Sequence, residues 1–174
     1  MKVAQRDRID RIVERLAELP AVDRVDPLAE GICDRISVIQ RRLMLQSKRS
    51  LDHHDITWRD WQVLTNLVLG GETPRSPSML ASTLMVTTGA MTNVLDRLEE
   101  AGLIRRLRNP DDRRSVIVEA TDDGVALWYA AVNELGEQEA AAVSVLTASE
   151  QRQLNSLLRK LLAAFGEEKS DVTD

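Results

Sequence analysis

Apolar residues recur at every third or fourth position along most of this chain, which is the spacing of an amphipathic α-helix. The pattern covers residues 6–19, residues 28–51 and most of the chain after residue 121. Pro20 ends the first segment, and Asp26-Pro27 supplies a cap and a first helical residue for the second. The pattern therefore predicts a protein built mainly of helices.

The central residues 76–121 follow a different pattern. Ser76-Pro77 and Thr87-Thr88-Gly89 are helix-start signals, and they predict two short helices with a tight turn between them. Residues 103–107 and 115–119 are rich in β-forming side chains, and the Asn-Pro-Asp-Asp sequence between them is typical of a turn. Two short helices followed by a hairpin are the elements of a winged helix-turn-helix.

Capping signals predict where the other helices begin. Thr57 with Asp60, and Thr147 with Glu150, have the spacing of a capping box, and Thr121 can cap the helix that follows the hairpin. We expect loops at residues 52–55 and 72–75. In the central unit, the apolar residues expected to face inward are Met79, Leu80, Leu84, Met91, Val94, Leu95 and Leu98.

The predicted fold class is mainly α with a small β-wing. Residues 1–55 should form N-terminal helices, residues 56–121 a winged helix-turn-helix domain, and residues 122–174 C-terminal helices. The first helix is too short to be stable alone, so its apolar face needs a partner, which a second copy of the chain can supply. We expect a homodimer whose N- and C-terminal helices form a helical dimerisation domain.

Composition narrows the class of protein. The single cysteine, Cys33, excludes an intramolecular disulfide and suits a reducing cytoplasm. No apolar run is long enough to cross a bilayer, and the charged N-terminus lacks the apolar core of a secretory signal. We therefore expect a cytoplasmic protein with no membrane partner.

The net charge of −5 is unevenly distributed along the sequence. Residues 103–118 hold five arginines and two aspartates, a local charge of +3, which leaves −8 for the rest of the chain. An acidic body with one basic hairpin is compatible with a protein that binds DNA through a small area. The alternative is a solvated hairpin with ordinary surface charge.

The second short helix carries candidate contacts to double-stranded DNA. A helix can enter the major groove when the exposed face near its start holds small or hydrogen-bonding side chains. The candidates are Thr87, Thr88, Gly89, Ala90, Thr92, Asn93 and Arg97. Asn93 and Arg97 are best suited to read base edges, and Ser76 and Ser78 are candidates at the start of the preceding helix. A polar face that is simply solvated is the alternative.

The hairpin carries candidate contacts to the neighbouring minor groove, where narrow segments attract arginine. They are Arg106, Arg108, Asp112, Arg113 and Arg114. An aspartate two residues before an arginine can hold the guanidinium in a bidentate pair, as Asp112 could hold Arg114.

These residues resemble the MarR family of transcriptional regulators. The pattern Asp112-x-Arg114-x-x-x-Val118-x-x-Thr121, followed by Gly124, is similar to the family's wing signature. The sequence LDRLEEAGLIRR at residues 95–106 is similar to the end of its recognition helix and its first wing strand. Ala120 departs from the leucine that the family has there. The resemblance implies an obligate homodimer with interleaved terminal helices, and it makes Arg114 the minor-groove arginine with Asp112 as its partner. Such regulators usually repress transcription and leave DNA when a small molecule binds.

Three other groups of residues carry weaker hypotheses. Cys33 could be a redox-responsive thiol, but a packed or inert thiol is the simpler interpretation, because only Arg35 lies near it in sequence to lower its pKa. Trp58 and Trp61 could line a ligand site, with a core or dimer-interface role as the alternative. Asp52-His53-His54-Asp55 has metal-ligand types, but consecutive ligands rarely converge on one ion, so we expect no metal.

The sequence lacks the motifs of an enzyme. It has no phosphate-cradling glycine-rich loop, no zinc-protease helix and only two histidines, which are adjacent. We expect no catalytic residue and no cofactor. The leading hypothesis is a homodimeric, DNA-binding transcriptional regulator on a pseudo-palindromic operator, with a small organic effector as a possible partner. The alternatives are a helical dimer that acts through protein partners, or a regulator that responds through Cys33.

Overall fold

The structure is a computed structural model that describes residues 6–19, 24–71, 73–109 and 115–165. Its helices and strands, in chain order, are α1 (Arg8–Ala17), α2 (Pro27–His53), α3 (Trp58–Leu69), α4 (Pro77–Thr83), α5 (Thr88–Glu100), β1 (Ile104–Arg108), β2 (Val116–Ala120), α6 (Asp122–Val143) and α7 (Ala148–Ala164). The mainly α fold with a small β-hairpin is as predicted. Within the described residues, no helix combines the length and the hydropathy that crossing a membrane requires.

The chain divides into two compact units, Met1–Gln46 and Ser47–Asp174. In the first unit, α1 begins at a capping box between Asp7 and Asp10. Arg35 of α2 binds both carboxylates, with Nε 2.9 Å from Asp7 Oδ2 and Nη2 2.6 Å from Asp10 Oδ1. The hydrogen bond from Arg35 holds the pKa of Asp7 below its usual range. The backbone N–H of Asp7, followed by Arg35, does the same for the pKa of Asp10. These contacts hold α1 against α2.

The start of α2 is as predicted, because Asp26 Oδ1 accepts the backbone N–H of Leu28 at 2.8 Å. Its end is not. Asp52 and His53 form the last turn of α2, so the predicted loop is confined to the two residues after them, and Asp55 there adopts a left-handed φ of 55°. The predicted end of α1 at Pro20 lies outside the described residues.

The core of the second unit contains side chains from α3, α4, α5 and α6. Trp61 of α3 and Trp128 of α6 stack with ring centroids 5.8 Å apart and planes 9° apart. The indole Nε1 of Trp128 donates to Thr65 Oγ1 at 3.0 Å, so the polar atom of this buried ring is satisfied. These contacts join α6 to α3, the helix that precedes the helix-turn-helix.

The predicted capping residues Thr57, Ser76, Thr87, Thr121 and Thr147 all cap their helices. The predicted inward-facing residues are buried or half-buried except Met79, which is 43% exposed. That prediction was wrong because α4 has only seven residues, and Leu80 and Ala81 already fill its buried side.

The wing differs from its prediction in two details. Both strands begin one residue later than expected, and they pair antiparallel with Ile104 opposite Ala120 and Arg108 opposite Val116. The predicted loop at residues 73–75 also pairs with the wing, because the backbone carbonyl of Arg75 accepts the Val118 N–H of β2 at 2.8 Å. The segment between α3 and α4 is therefore fastened to the wing.

The last helix, α7, is largely exposed in the single chain. No residue of α7 is buried, and its apolar side chains Leu154, Leu157, Leu158, Leu161 and Leu162, with Phe165 after them, are between 41% and 85% exposed. In the first unit, the apolar side of α2 is exposed in the same way, with Leu28 at 73% and Ile39 at 56%.

Candidate nucleic-acid interface

The helix-turn-helix consists of α4, a short turn and α5. Ser76 Oγ accepts the Met79 N–H at 3.2 Å, and Pro77 occupies the first helical position, where its missing N–H costs nothing. In the turn, Met85 has a left-handed φ of 49°, and Val86 N–H donates to Ala81 O at 2.9 Å. Thr87 then caps α5 by accepting the Ala90 N–H at 3.2 Å.

The two faces of α5 differ sharply. The inner face buries Met91, Val94, Leu95 and Leu98. The outer face exposes the predicted contact residues Thr87, Thr88, Gly89, Ala90, Thr92 and Asn93. The amide of Asn93 makes no hydrogen bond to another described residue, whereas Thr92 Oγ1 donates to Thr88 O at 2.9 Å. Within the described part of the chain, the donors and acceptors of the Asn93 amide are therefore available.

Arg97 has a partner that the sequence did not predict. Its Nη2 lies 2.5 Å from Asp60 Oδ1, and Asp60 is only 2% exposed. We predicted Arg97 to read base edges, but in this structure its guanidinium is engaged with a buried carboxylate of α3. Reading bases would require it to share or leave that partner.

Ser78, the other candidate at the start of α4, is exposed, and its hydroxyl lies 2.9 Å from Ser76 Oγ. Both serines are thus close together at the helix start. Their contact with DNA stays a prediction.

Two of the hairpin arginines are paired with carboxylates. Arg105 Nη2 lies 2.9 Å from Glu119 Oε2 across the hairpin. Arg106 lies 2.6 Å from each of Asp96 and Glu99, both on α5. Burial acts to lower the pKa of Arg106, but the hydrogen bonds that Arg106 donates to these two carboxylates raise the pKa overall. Arg106 therefore fastens the wing to α5, a role that the sequence did not predict, and its DNA contact stays a prediction.

This pairing corrects the view of the hairpin as a concentrated cationic site. The sequence count set five arginines against two aspartates within residues 103–118. The structure adds three carboxylates, Asp96, Glu99 and Glu119, within 2.9 Å of Arg105 or Arg106. Arg108 is exposed and forms no ion pair with another described residue. The candidates Asp112, Arg113 and Arg114 lie outside the described residues, and their roles stay predictions.

The candidate ligand residues Trp58 and Trp61 lie in different surroundings. Trp61 is 9% exposed and stacked on Trp128, so it is a core residue, as the alternative interpretation held. Trp58 is 43% exposed at the start of α3. Cys33 is a free thiol exposed on α2, so it is not packed into the core of its own chain, and its redox role stays a prediction.

The two histidines do not form a metal site within the described residues. They converge instead on Glu134 of α6, with His53 Nδ1 3.2 Å from Oε1 and His54 Nε2 3.1 Å from Oε2. The buried Ser50 hydroxyl also donates to Glu134 Oε1 at 2.7 Å. This hydrogen bond, followed by those from the histidines, holds the pKa of Glu134 below its ordinary value.

Sequence reasoning missed Arg59 and Arg75. Arg59 Nη1 donates to Leu84 O at 3.1 Å and so holds the turn of the helix-turn-helix. Arg75 lies against the wing, with its carbonyl bound to Val118 N. No local signal marks either residue, because each contact joins parts of the chain more than 20 positions apart.

Comparisons with known proteins agree with this geometry. A family model described as "MarR family" matches residues 56–116. The HTH-type transcriptional regulator PecS of Dickeya dadantii is 32% identical over 145 residues, which cover 83% of this chain and 86% of PecS. The crystal structure of a mutant of MarR from E. coli has a TM-score of 0.67 and 30% identity, over 80% of this chain and 99% of that one.

A third relative was solved with nucleic acid. A mutant of MepR from S. aureus, bound to an oligodeoxyribonucleotide, has a TM-score of 0.60 and 25% identity. The match covers 77% of this chain and 97% of that one. The similarity thus extends over both the helix-turn-helix and the flanking helices.

Proposed function

Because this chain belongs to the MarR family of DNA-binding transcriptional regulators, we propose that it works as a homodimer on a pseudo-palindromic operator, that it represses transcription there, and that a small organic effector releases it. Each protomer places α5 in a major groove, and the hairpin tip at residues 109–114 reaches the flanking minor groove. Two-fold symmetry then sets the half-sites about 10 bp apart, one turn of the double helix.

The observation that carries this proposal is the two-sided character of α5. Its inner face is fixed by fully buried side chains such as Met91 and Leu95, and its outer face is small and uncharged from Thr88 to Asn93. A rigidly held helix with small exposed side chains can approach base edges closely. Asn93 is the residue best suited to a specific contact, because an asparagine amide can make two hydrogen bonds to adenine.

The exposed apolar faces of α2 and α7 support the dimer. Six apolar side chains at the C-terminal end, from Leu154 to Phe165, are at least 41% exposed. Apolar surface of this extent is costly in water and marks an interaction face. A second copy is the partner that fits, because it supplies an equally apolar surface and brings a second α5.

The wing contributes through Arg108, which forms no ion pair with another described residue, and through two arginines that the sequence suggests. Arg108 is the described candidate, and Arg113 and Arg114 are the candidates from the sequence. Arg105 and Arg106 stiffen the hairpin instead, since their carboxylate partners already balance their charge.

The test begins with wild-type protein and sheared genomic DNA from its own source. Bound fragments are sequenced, and the shared site is measured by fluorescence anisotropy over a range of salt concentrations. We expect one enriched palindromic site and an affinity that falls steeply with salt. No enrichment and no salt dependence would favour the alternative of a helical dimer that acts through protein partners.

A matched pair of variants tests the assignment of the wing arginines. Arg108→Ala should reduce the slope of log affinity against log salt by about 1, because one phosphate contact is lost. Arg105→Ala should leave that slope nearly unchanged, since Glu119 already neutralises the guanidinium. Equal slopes for the two variants would contradict the assignment.

The effector part of the proposal has its own test. The purified protein is screened by thermal shift against organic acids and phenols, and any hit is added to the operator complex. A compound that raises Tm and releases DNA supports it. A compound that raises Tm and leaves the complex intact contradicts the release mechanism.

A further inference from the structure

We infer that Asp60 and Arg97 are a positioning pair. The buried carboxylate of Asp60 on α3 binds the guanidinium of Arg97 on α5 and so fixes the angle at which α5 meets DNA. Arg97 therefore orients the recognition helix and does not read bases. This inference rests on the proposed function, in which α5 enters the major groove.

Both oxygens of Asp60 are engaged, and they face different elements. Oδ2 accepts the backbone N–H of Thr57 at 2.8 Å and its hydroxyl at 2.7 Å, which completes the capping box of α3. Oδ1 accepts from Arg97 Nη2 at 2.5 Å. One carboxylate thus fixes the start of α3 and holds α5 at the same time.

Replacing the Asp60–Arg97 ion pair by a contact between Arg97 and a base would cost much free energy. Asp60 is 2% exposed, whereas the side chain of Arg97 is 51% exposed. If Arg97 left for a guanine, it would leave a charged carboxylate buried without its cation, which is among the costliest changes inside a protein. Bidentate recognition of guanine also needs the fork of the guanidinium, and Nη2 of that fork contacts both Asp60 Oδ1, at 2.5 Å, and Thr57 Oγ1, at 3.5 Å.

A second contact from the first turn of α3 holds the turn that precedes α5. Arg59 Nη1 donates to Leu84 O at 3.1 Å, in the turn before α5. Arg97 lies in the last turns of α5, about two and a half turns beyond Thr88. The first turn of α3 therefore holds α5 near both its ends, so a change in the Asp60–Arg97 contact should tilt the whole helix.

Reading and positioning predict different results for binding specificity. A residue that reads a base contributes base preference at one or two operator positions, so its loss weakens the preference at those positions alone. A residue that orients the helix contributes to every base contact together. Its loss should lower affinity and leave the order of preferred bases unchanged.

The experiment measures the affinity of each variant for the operator and for duplexes that carry every single base-pair substitution. The variants are Arg97→Lys, Arg97→Ala, Asp60→Asn and the double variant Asp60→Asn with Arg97→Ala, and the control is Asn93→Ala. Far-UV circular dichroism and Tm report the folding of each variant. Arg97→Lys is the decisive variant, because lysine keeps the charge that Asp60 needs and loses the guanidinium fork.

Arg97→Ala and Asp60→Asn should each weaken operator binding by about tenfold or more with an unchanged base preference. The double variant should be no weaker than Arg97→Ala, because both changes remove the same contact. Arg97→Lys should keep most of the wild-type affinity for the operator. Asn93→Ala should weaken the base preference at one or two operator positions. Blurred preference at particular positions in Arg97→Lys, or additive losses in the double variant, would overturn the inference.

The outcome also separates this inference from the proposed function. If wild-type protein shows no base preference at all, then the proposed function fails before any variant is considered. If wild-type protein and the Asn93→Ala control behave as expected while Arg97→Lys loses preference at a defined position, then only the positioning role fails. If Asp60→Asn does not fold, Arg97→Lys alone still decides.

Discussion

A charged residue in the apolar stripe of α7 should separate the two protomers of the proposed dimer. Leu162 is 70% exposed in the single chain. Full burial of a leucine side chain stabilises by about 1.5–3 kcal/mol, so covering the exposed part of Leu162 is worth roughly 1–2 kcal/mol. Two-fold symmetry counts the contact twice, which gives roughly 2–4 kcal/mol for the dimer.

The perturbation is Leu162→Glu, and the chain offers a matched control. Leu69, at the end of α3, is 67% exposed, so Leu69→Glu changes almost the same amount of apolar surface outside the stripe. Loss of roughly 2–4 kcal/mol raises the dissociation constant of the dimer by about 30-fold to 700-fold. The buried charge of the glutamate adds to that loss.

Sedimentation equilibrium at several protein concentrations measures the dissociation constant of each variant. Wild-type protein and Leu69→Glu should be dimers at concentrations where Leu162→Glu is a monomer. Circular dichroism should show the helices of all three, since most of the Leu162 side chain is uncovered within its own chain. Equal dissociation constants for Leu162→Glu and Leu69→Glu would refute the assignment of this face to a second copy.

Three further predictions concern the stability of the second unit. Gly124→Ala should lower the free energy of unfolding by about 1–3 kcal/mol, because its Cβ would clash with the Leu103 carbonyl oxygen; urea denaturation measures the loss. Trp128→Phe should cost about 1–3 kcal/mol by the same assay, because the hydrogen bond to Thr65 is lost together with ring volume. Folding lowers the pKa of Glu134 below its ordinary value of 4.5. The stabilisation that the ionised Glu134 provides is therefore present at a pH above that value and is lost as the pH falls below it. Glu134→Gln should therefore show a smaller loss of stability than wild type between about pH 6 and about pH 3, and equal losses in the two proteins would contradict that role.

The elements that the sequence predicts correctly are those with local causes. Thr57, Thr87 and Thr147 mark helix starts because a capping hydroxyl binds a backbone N–H only two or three residues away. The buried side of α5 follows from its own periodicity. Such signals are complete within one or two turns, so no knowledge of the rest of the fold is needed.

The contacts that decide the role of each arginine are not local. Asp60 and Arg97 are 37 positions apart, and the hairpin arginine Arg106 is balanced by Asp96 and Glu99 of the preceding helix. A count of charges along the sequence cannot show which of them meet in space. Arg97 and Arg106 were accordingly predicted as DNA contacts, although the structure engages both in ion pairs.

The ion pairs of Arg105 and Arg106 have a consequence for how a regulator of this kind finds its site. Sliding along DNA depends on many non-specific phosphate contacts, each of which releases counterions. Arg105 and Arg106 are balanced by carboxylates and the net charge of the chain is −5, so these two arginines add little to non-specific phosphate contacts. We expect brief visits to random DNA and a search dominated by repeated encounters from solution. The fraction held on non-operator DNA should then stay small, which leaves most of the protein available for the operator.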